Sequence, residues 1–390
     1  MKINHGTAGV RWAAAGIMAA AAVAAGGLML WPGAVSAARN PDQTKPTTHM
    51  PAPAHRPDAT PPDPLVALLR SATVLAPRSY GGLTVFPVRA SRIADFGSVL
   101  TMDEALNRGL LIIEEVGSGS VNQVVANNRS ASYVFLMASE MIGGAKQDRT
   151  ISEDLLLRPH SEVKIPVFCV EAHRWSAPES AAPARFRALN SPAPMAVRKS
   201  VRMKQNQSEV WNDVSRLQLR LGAPSATGAV RSVYESPAVK RDLDPYLSKL
   251  RDVPEIAPNV IGVVVANGGA IVAADLFCRP DLFRRLWPGL LRSYATDALG
   301  GRDGKMRVSV GDAERFLSRL YDARRTREET PGAGYVERLS GSGVTASALI
   351  YQQAVVHLEV FPGAKPLPEP LRRPQMDLNF RRQRLEREAR

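Results

Sequence analysis

Two short segments crowd together side chains able to move a proton or hold an anion. They are Glu140-Met-Ile-Gly-Gly-Ala-Lys146-Gln147-Asp148-Arg149 and Cys169-Val-Glu171-Ala-His173-Arg174-Trp175. Lys146, Arg149 and Arg174 suit a phosphate or carboxylate, because a guanidinium presents paired donors that match two oxygens of one anion. Gly143-Gly144 lets the backbone approach closely just ahead of them, although no Walker or dinucleotide pattern is present. The same charges have a second reading, in which Arg149 and Arg174 pair internally with Glu140 and Glu171 and brace the two loops. Glu140 and Glu171 are also candidates for an acid/base pair, a role that needs carboxyls roughly 5–10 Å apart. Trp175 suits stacking on a base or sugar, or anchoring a loop. His357 sits in Ala354-Val-Val-His-Leu-Glu-Val360, as either a hydrogen-bonded strand histidine or a catalytic one. Ser118 and Ser120 lie in a Gly-Ser loop without a nucleophile-elbow pattern. No CxxC or HxxxH spacing occurs, and neither a metal nor a cofactor is expected.

The elements that must position these residues are mostly strands in the first half. Leu83–Val88 reads as a strand ended by Pro87, or as an edge strand that tolerates it. Thr101-Met-Asp-Glu104 follows the capping-box pattern, which predicts a short helix over 102–108 that stops at Gly109. Leu110–Val116, Val121–Asn127, Ser132–Met137 and Glu162–Val170 read as further strands. Ser176–Pro194, rich in Ala, Ser and Pro, reads as a long loop. The second half mixes helices over 205–221, 242–251, 281–298 and 312–323 with a hairpin at Asn267-Gly268-Gly269 and three closing strands from Tyr335 to Phe361. Strands and helices are grouped rather than alternating. The expected fold class is therefore α+β, mainly antiparallel β in its first half, with helices and a closing β hairpin in its second.

The ends of the chain read differently from its centre. Lys2 and Arg11 precede an apolar run from Trp12 to Trp31, and Ala34-Val-Ser-Ala37 then offers small residues for cleavage. Residues 1–37 thus read as a signal peptide cleaved near Ala37, which makes the protein extracytoplasmic, periplasmic or secreted. The alternative is an uncleaved membrane anchor, since about 20 apolar residues can span a bilayer. Residues 38–64 carry eight prolines among small polar residues, the composition of a disordered linker. Residues 65–365 are long enough for a sizeable core, and 366–390 form a charged tail. The formal charge of +13 falls by two with Lys2 and Arg11. A basic stripe with interleaved aromatics is missing, which argues against nucleic acid as a partner. Anionic small molecules or cell-envelope polymers fit better, with membrane contact only through an uncleaved N-terminus. Cys169 and Cys278 could pair in an oxidising compartment, but both lie in apolar strand-like runs, which favours two separate buried thiols.

At Gly144-Ala-Lys146-Gln147-Asp148-Arg149 and Cys169-Val-Glu171-Ala-His173-Arg174-Trp175 the chain resembles the ADP-ribosylglycohydrolase- and rhodanese/phosphatase-associated protein domain family. Further matches follow in order at Leu83–Pro87, Thr101–Leu106, Glu115–Val121, Gln207–Trp211, Asp275–Phe277 and Val356–Leu358, covering about residues 80 to 362. The resemblance implies a role linked to NAD or ADP-ribose metabolism through gene neighbourhoods. It points to Glu140, Lys146, Gln147, Arg149, Glu171, Arg174, Trp175 and His357 as site residues. The chain departs from the family pattern at Ser139 (usually Gly), Asp148 (usually Asn) and Ala172-His173 (usually Gln-Gly).

Two functions are compatible with these residues. One is an exported ligand-binding or interaction module, with Lys146, Gln147, Arg149, Arg174 and Trp175 as its recognition surface. The other is a hydrolase of a phosphorylated or glycosidic small molecule, with the cations as an anion clamp and Glu140, Glu171 or His357 handling the proton. Whether the chain is an enzyme stays open on sequence alone.

Overall fold

The structure is a computed structural model that describes residues 63–117, 119–120, 122–175, 185–299 and 307–363. The leader, most of the linker, residues 176–184 at the start of the 176–194 loop, Ser118, Val121, residues 300–306 and the C-terminal tail lie outside the described residues.

The first half is built from short elements. Helix α1 (Pro64–Ser71) starts at a proline in its first turn and is capped by the Asp63 carboxylate, which accepts from Val66 N–H. Strands β1 (Ala72–Val74), β2 (Arg78–Tyr80), β3 (Leu83–Ala90) and β4 (Val99–Thr101) lead to α2 (Met102–Asn107). That helix has the capping box read from Thr101 and Glu104 and ends before Gly109, whose φ is +67°. Then follow β5 (Leu111–Glu115), β6 (Gln123–Asn128), β7 (Tyr133–Leu136), β8 (Glu140–Gly144), β9 (Arg149–Ile151), β10 (Leu155–Leu157), β11 (Ser161–Cys169) and β12 (Phe186–Pro192). The second half has α3 (Met195–Lys199), running into a π turn at Ser200–Lys204, then α4 (Gln207–Arg220), α5 (Arg231–Glu235) and α6 (Pro237–Leu250). The hairpin β13 (Val260–Asn267) and β14 (Ala270–Phe277) precedes α7 (Pro280–Ala298) and α8 (Val310–Ser318). Four strands close the fold: β15 (Arg324–Glu329), β16 (Tyr335–Gly341), β17 (Val344–Tyr351) and β18 (Ala354–Pro362).

These elements make the expected α+β fold. A nine-stranded sheet runs β1-β3-β13-β14-β18-β17-β16-β15, with β2 also on β3, and every pair in it is antiparallel. Its two faces are both covered. Val85, Val263 and Phe277 pack with α4, α6 and α7, whereas Phe86, Val264 and Leu358 pack with α1 and α8. The second, six-stranded sheet runs β12-β8-β9-β11-β6-β5. Its apolar side shares a core with α2 and the small β10-β7-β4 sheet, in which β4 and β7 are parallel.

Three local features depart from the sequence reading. Strand β3 does not end at Pro87 but continues to Ala90, paired with β13 on one side. On the other side its neighbour is interrupted between β1 and β2, where Leu75 N–H donates to the Pro87 carbonyl at 2.8 Å. The missing proline N–H therefore faces the break instead of a continuous ladder. Strands β6 and β7 are adjacent in sequence yet belong to different sheets, because Asn128 folds the link through bonds to the Ser132 and Arg158 carbonyls. The end of the long loop, Phe186–Pro192, is a strand on β8. Its alternating Phe186 and Ala188 enter the core, a pattern masked in sequence by surrounding small residues and prolines.

Candidate functional site

Strand pairing brings the two motif segments together. In the β9–β11 ladder Arg149 lies opposite Cys169, so residues 145–148 leave β8 beside the point where 170–175 leave β11. Gly144 has φ +109° and Ala145 +42°, a left-handed turn that the Gly-Gly-Ala sequence accommodates. Val170 N–H donates to the Asp148 carbonyl at 3.0 Å, and the Gln147 amide to the Glu171 carbonyl at 2.9 Å. One backbone bond and one side-chain amide bond thus lock one segment to the other.

The charges complete the lock. Glu171, its side chain fully buried, accepts from Asp148 N–H at 3.0 Å and from Arg174 Nε at 3.0 Å and Nη2 at 2.7 Å. Burial would raise its pKa, but the Arg174 and backbone hydrogen bonds outweigh that and lower it. Arg174 Nη1 also donates to the Ala145 carbonyl at 2.8 Å. Asp148 lies 3.5 Å from Arg174 and 3.2 Å from Arg231, and burial still leaves its pKa raised. Arg149 is fully buried and reaches Glu115 at 3.5 Å, the Ser120 carbonyl at 3.1 Å and the Cys169 thiol. Arg149, Arg174 and Arg231 thus meet Glu115, Asp148 and Glu171 in one ionic cluster.

Trp175 is the outward part of this assembly, 46% exposed. Lys146 Nζ lies 5.2 Å and the Arg149 guanidinium carbon 5.3 Å from its ring centre, both within cation–π range. The Gly119–Ser120 loop lies against Lys146; a β-carbon on Gly119 would come within 3.0 Å of the lysine side chain. Ala172 and His173 N–H both donate to the Thr227 carbonyl, which ties the segment to the loop before α5.

Glu140 and His357 stand in other surroundings. Glu140 accepts from Met137 N–H at 2.7 Å and lines a cavity between α2, β12 and α7. Burial, and then the nearby Asp103, hold its pKa well above the carboxylate range. His357 is fully buried in the large sheet, with Nδ1 2.9 Å from Asp154 and Nε2 3.2 Å from Asp275. Arg198 Nη2 bridges Asp275 and Glu359 at 2.7 Å each, and Arg202 Nε adds 2.7 Å to Glu359. Tyr294 donates to Asp275. Burial alone would lower the His357 pKa, but its two carboxylate partners push it up to about 10. This is an ionic network inside the core, in which Arg198 Nε and Nη1 and Arg202 Nη2 are buried without a hydrogen-bond partner. Both cysteines are buried and neither is in a disulfide, and no group of three or more His, Cys, Asp or Glu side chains among the described residues could hold a metal.

Sequence reading missed Glu115, Arg231, Asp103 and the partners of His357. Asp275 and Glu359 left a trace, as carboxylates inside otherwise apolar strands that need a buried cation. Asp103 was absorbed into the capping pattern of α2, where an acid in the first turn needs no other explanation.

The family model described as the ARG and Rhodanese-Phosphatase-superfamily-associated Protein domain matches residues 71–361. The chain belongs to this family. Its matched span takes in both motif segments, the His357 network and the Glu140 cavity. Neither a curated protein nor a solved structure matches the chain.

Proposed function

We propose that this member of the family is an exported ligand-binding module whose recognition surface is Trp175 with Lys146 beside it. The ligand class is a small anion that also carries a flat ring, as a nucleotide does. One observation carries this reading: a large indole is 46% exposed, with Lys146 and Arg149 both within cation–π range of its ring. Arg149 and Arg174 are engaged with internal carboxylates, carbonyls and a thiol, so they serve as the frame. Lys146, whose Nζ lies 5.2 Å from the ring centre, places a cation beside the indole, and the indole supplies the stacking face. A charged leader followed by a cleavage position supports export, and the basic composition suits an anionic partner.

Base stacking on an aromatic side chain contributes about 1–3 kcal/mol per base. Calorimetric titration of the full chain with AMP and with ribose 5-phosphate tests the proposal. AMP is expected to bind more tightly, and Trp175→Ala to weaken AMP by about tenfold or more without shifting the melting temperature. Ribose 5-phosphate binding as well as AMP, or an unchanged affinity in Trp175→Ala, would overturn it.

A further inference from the structure

The cavity that Glu140 lines has the features of a built site. Its volume is about 270 Å³, and its wall comes from α2, β12 and α7. That is just under the roughly 300 Å³ at which pockets for drug-sized ligands begin, so it takes one ring-sized molecule. Polar groups converge on it: the Asp103 and Glu140 carboxyls, the Asn107 and Asn190 amides, and Arg285. Oδ1 of Asp103 is buried without a hydrogen-bond partner. An unpartnered buried acceptor costs stability unless something supplies a donor.

The backbone around the cavity is shaped at some cost to regular structure. The β8–β12 register shifts between Ala188 and Pro192, and within this bulge Asn190 adopts φ +54°. Bulges re-aim side chains, and left-handed non-glycine residues gather at binding and catalytic sites. Opposite them, α7 carries Pro288 in its interior, followed by Gly289, where a β-carbon would come within 3.0 Å of Pro192. The helix can approach β12 this closely only without a side chain at 289.

We propose that this cavity binds a small polyhydroxylated molecule of about one sugar ring, with hydroxyls paired to Asp103, Glu140 and the Asn190 amide. Carboxyls and amides side by side offer acceptors and donors in alternation, which suits a hydroxyl-bearing ring. A cation suits the wall less well, since Arg285 lies on it and burial disfavours the charged form of Glu140. Arg285 is itself paired with Glu104 at 2.8 Å and Asp281 at 2.9 Å, so it does not draw in an anion. None of these residues belongs to the Trp175 surface.

Saturation-transfer NMR on the full chain with D-ribose and D-glucose tests the site, with methylguanidinium as a cationic competitor. At least one sugar is expected to receive saturation at tens-of-millimolar concentrations. Asn190→Gly keeps the left-handed backbone and removes the amide, while Asp103→Asn keeps the shape and removes the charge. Each is expected to weaken sugar binding about fivefold or more, and Trp175→Ala to leave it unchanged. No transfer to either sugar overturns the proposal, as does binding that survives both variants. Displacement by methylguanidinium, or equal loss in Trp175→Ala, overturns it too.

Discussion

Arg174→Ala is the most incisive perturbation of the paired motif segments. The guanidinium donates to both oxygens of Glu171 and to the Ala145 carbonyl, and its removal leaves Glu171 fully buried with Asp148 N–H as a remaining donor. Breaking a buried ion pair by deleting one partner costs about 3–5 kcal/mol. The arginine side chain is 17% exposed, so water reaches the vacated site and the lower end applies, about 3 kcal/mol. Each kcal/mol shifts a large domain by about 2–4 °C, so melting should fall by roughly 6–12 °C. Differential scanning calorimetry on wild type, Arg174→Ala, Glu171→Gln and the double variant would measure it. The double variant should lose clearly less than the sum of the singles, because once the carboxylate is neutral no charge is stranded. A fall of under 2 °C in Arg174→Ala, or strict additivity, would refute the bracing role.

Other outcomes follow from the same structure. Asp103 has its pKa raised to about 6, first by burial and then by Glu104, so the folded state favours its protonated form. That costs stability above pH 6 and nothing below about pH 3.8, so Asp103→Asn should gain about 3 kcal/mol at pH 7 and lose the advantage by pH 4. Loss of the helix-dipole contribution offsets this by about 0.5 kcal/mol; a destabilised variant at pH 7 would contradict the sign. His357, raised from 6.5 to about 10, contributes stability that is complete below pH 6.5 and lost as pH rises through 10. Melting curves of His357→Gln against wild type should therefore differ most near pH 6 and converge above pH 10, and a constant gap would count against a charged histidine. N-terminal sequencing of protein from its native host should begin near Ala38, and an intact Met1 in a cytosolic fraction would remove the export proposal.

The elements legible in sequence were those whose cause is local. The Thr101/Glu104 box, the Asn267-Gly268-Gly269 turn and the apolar periodicity of α4 and α7 each dictate their own geometry. Strands β8, β9 and β10 were less visible because all are buried on both faces or interrupted by Gly, so no alternation marks them. The two motif segments could be paired from their opposite charges, but which arginine meets which carboxylate depends on the β9–β11 register. Glu140 shows the limit most clearly. It belongs to the first segment in sequence, yet a strand start carries its side chain into a different cavity, beside an aspartate 37 positions earlier on α2.

Hydrogen–deuterium exchange of the full chain with and without AMP tests the central proposal most directly, because it locates the ligand without assuming a residue. Added protection is expected in residues 115–120, 145–149 and 171–175, with none in 101–107 or 188–192. Protection confined to those latter segments, or absent everywhere at saturating AMP, would contradict recognition at Trp175.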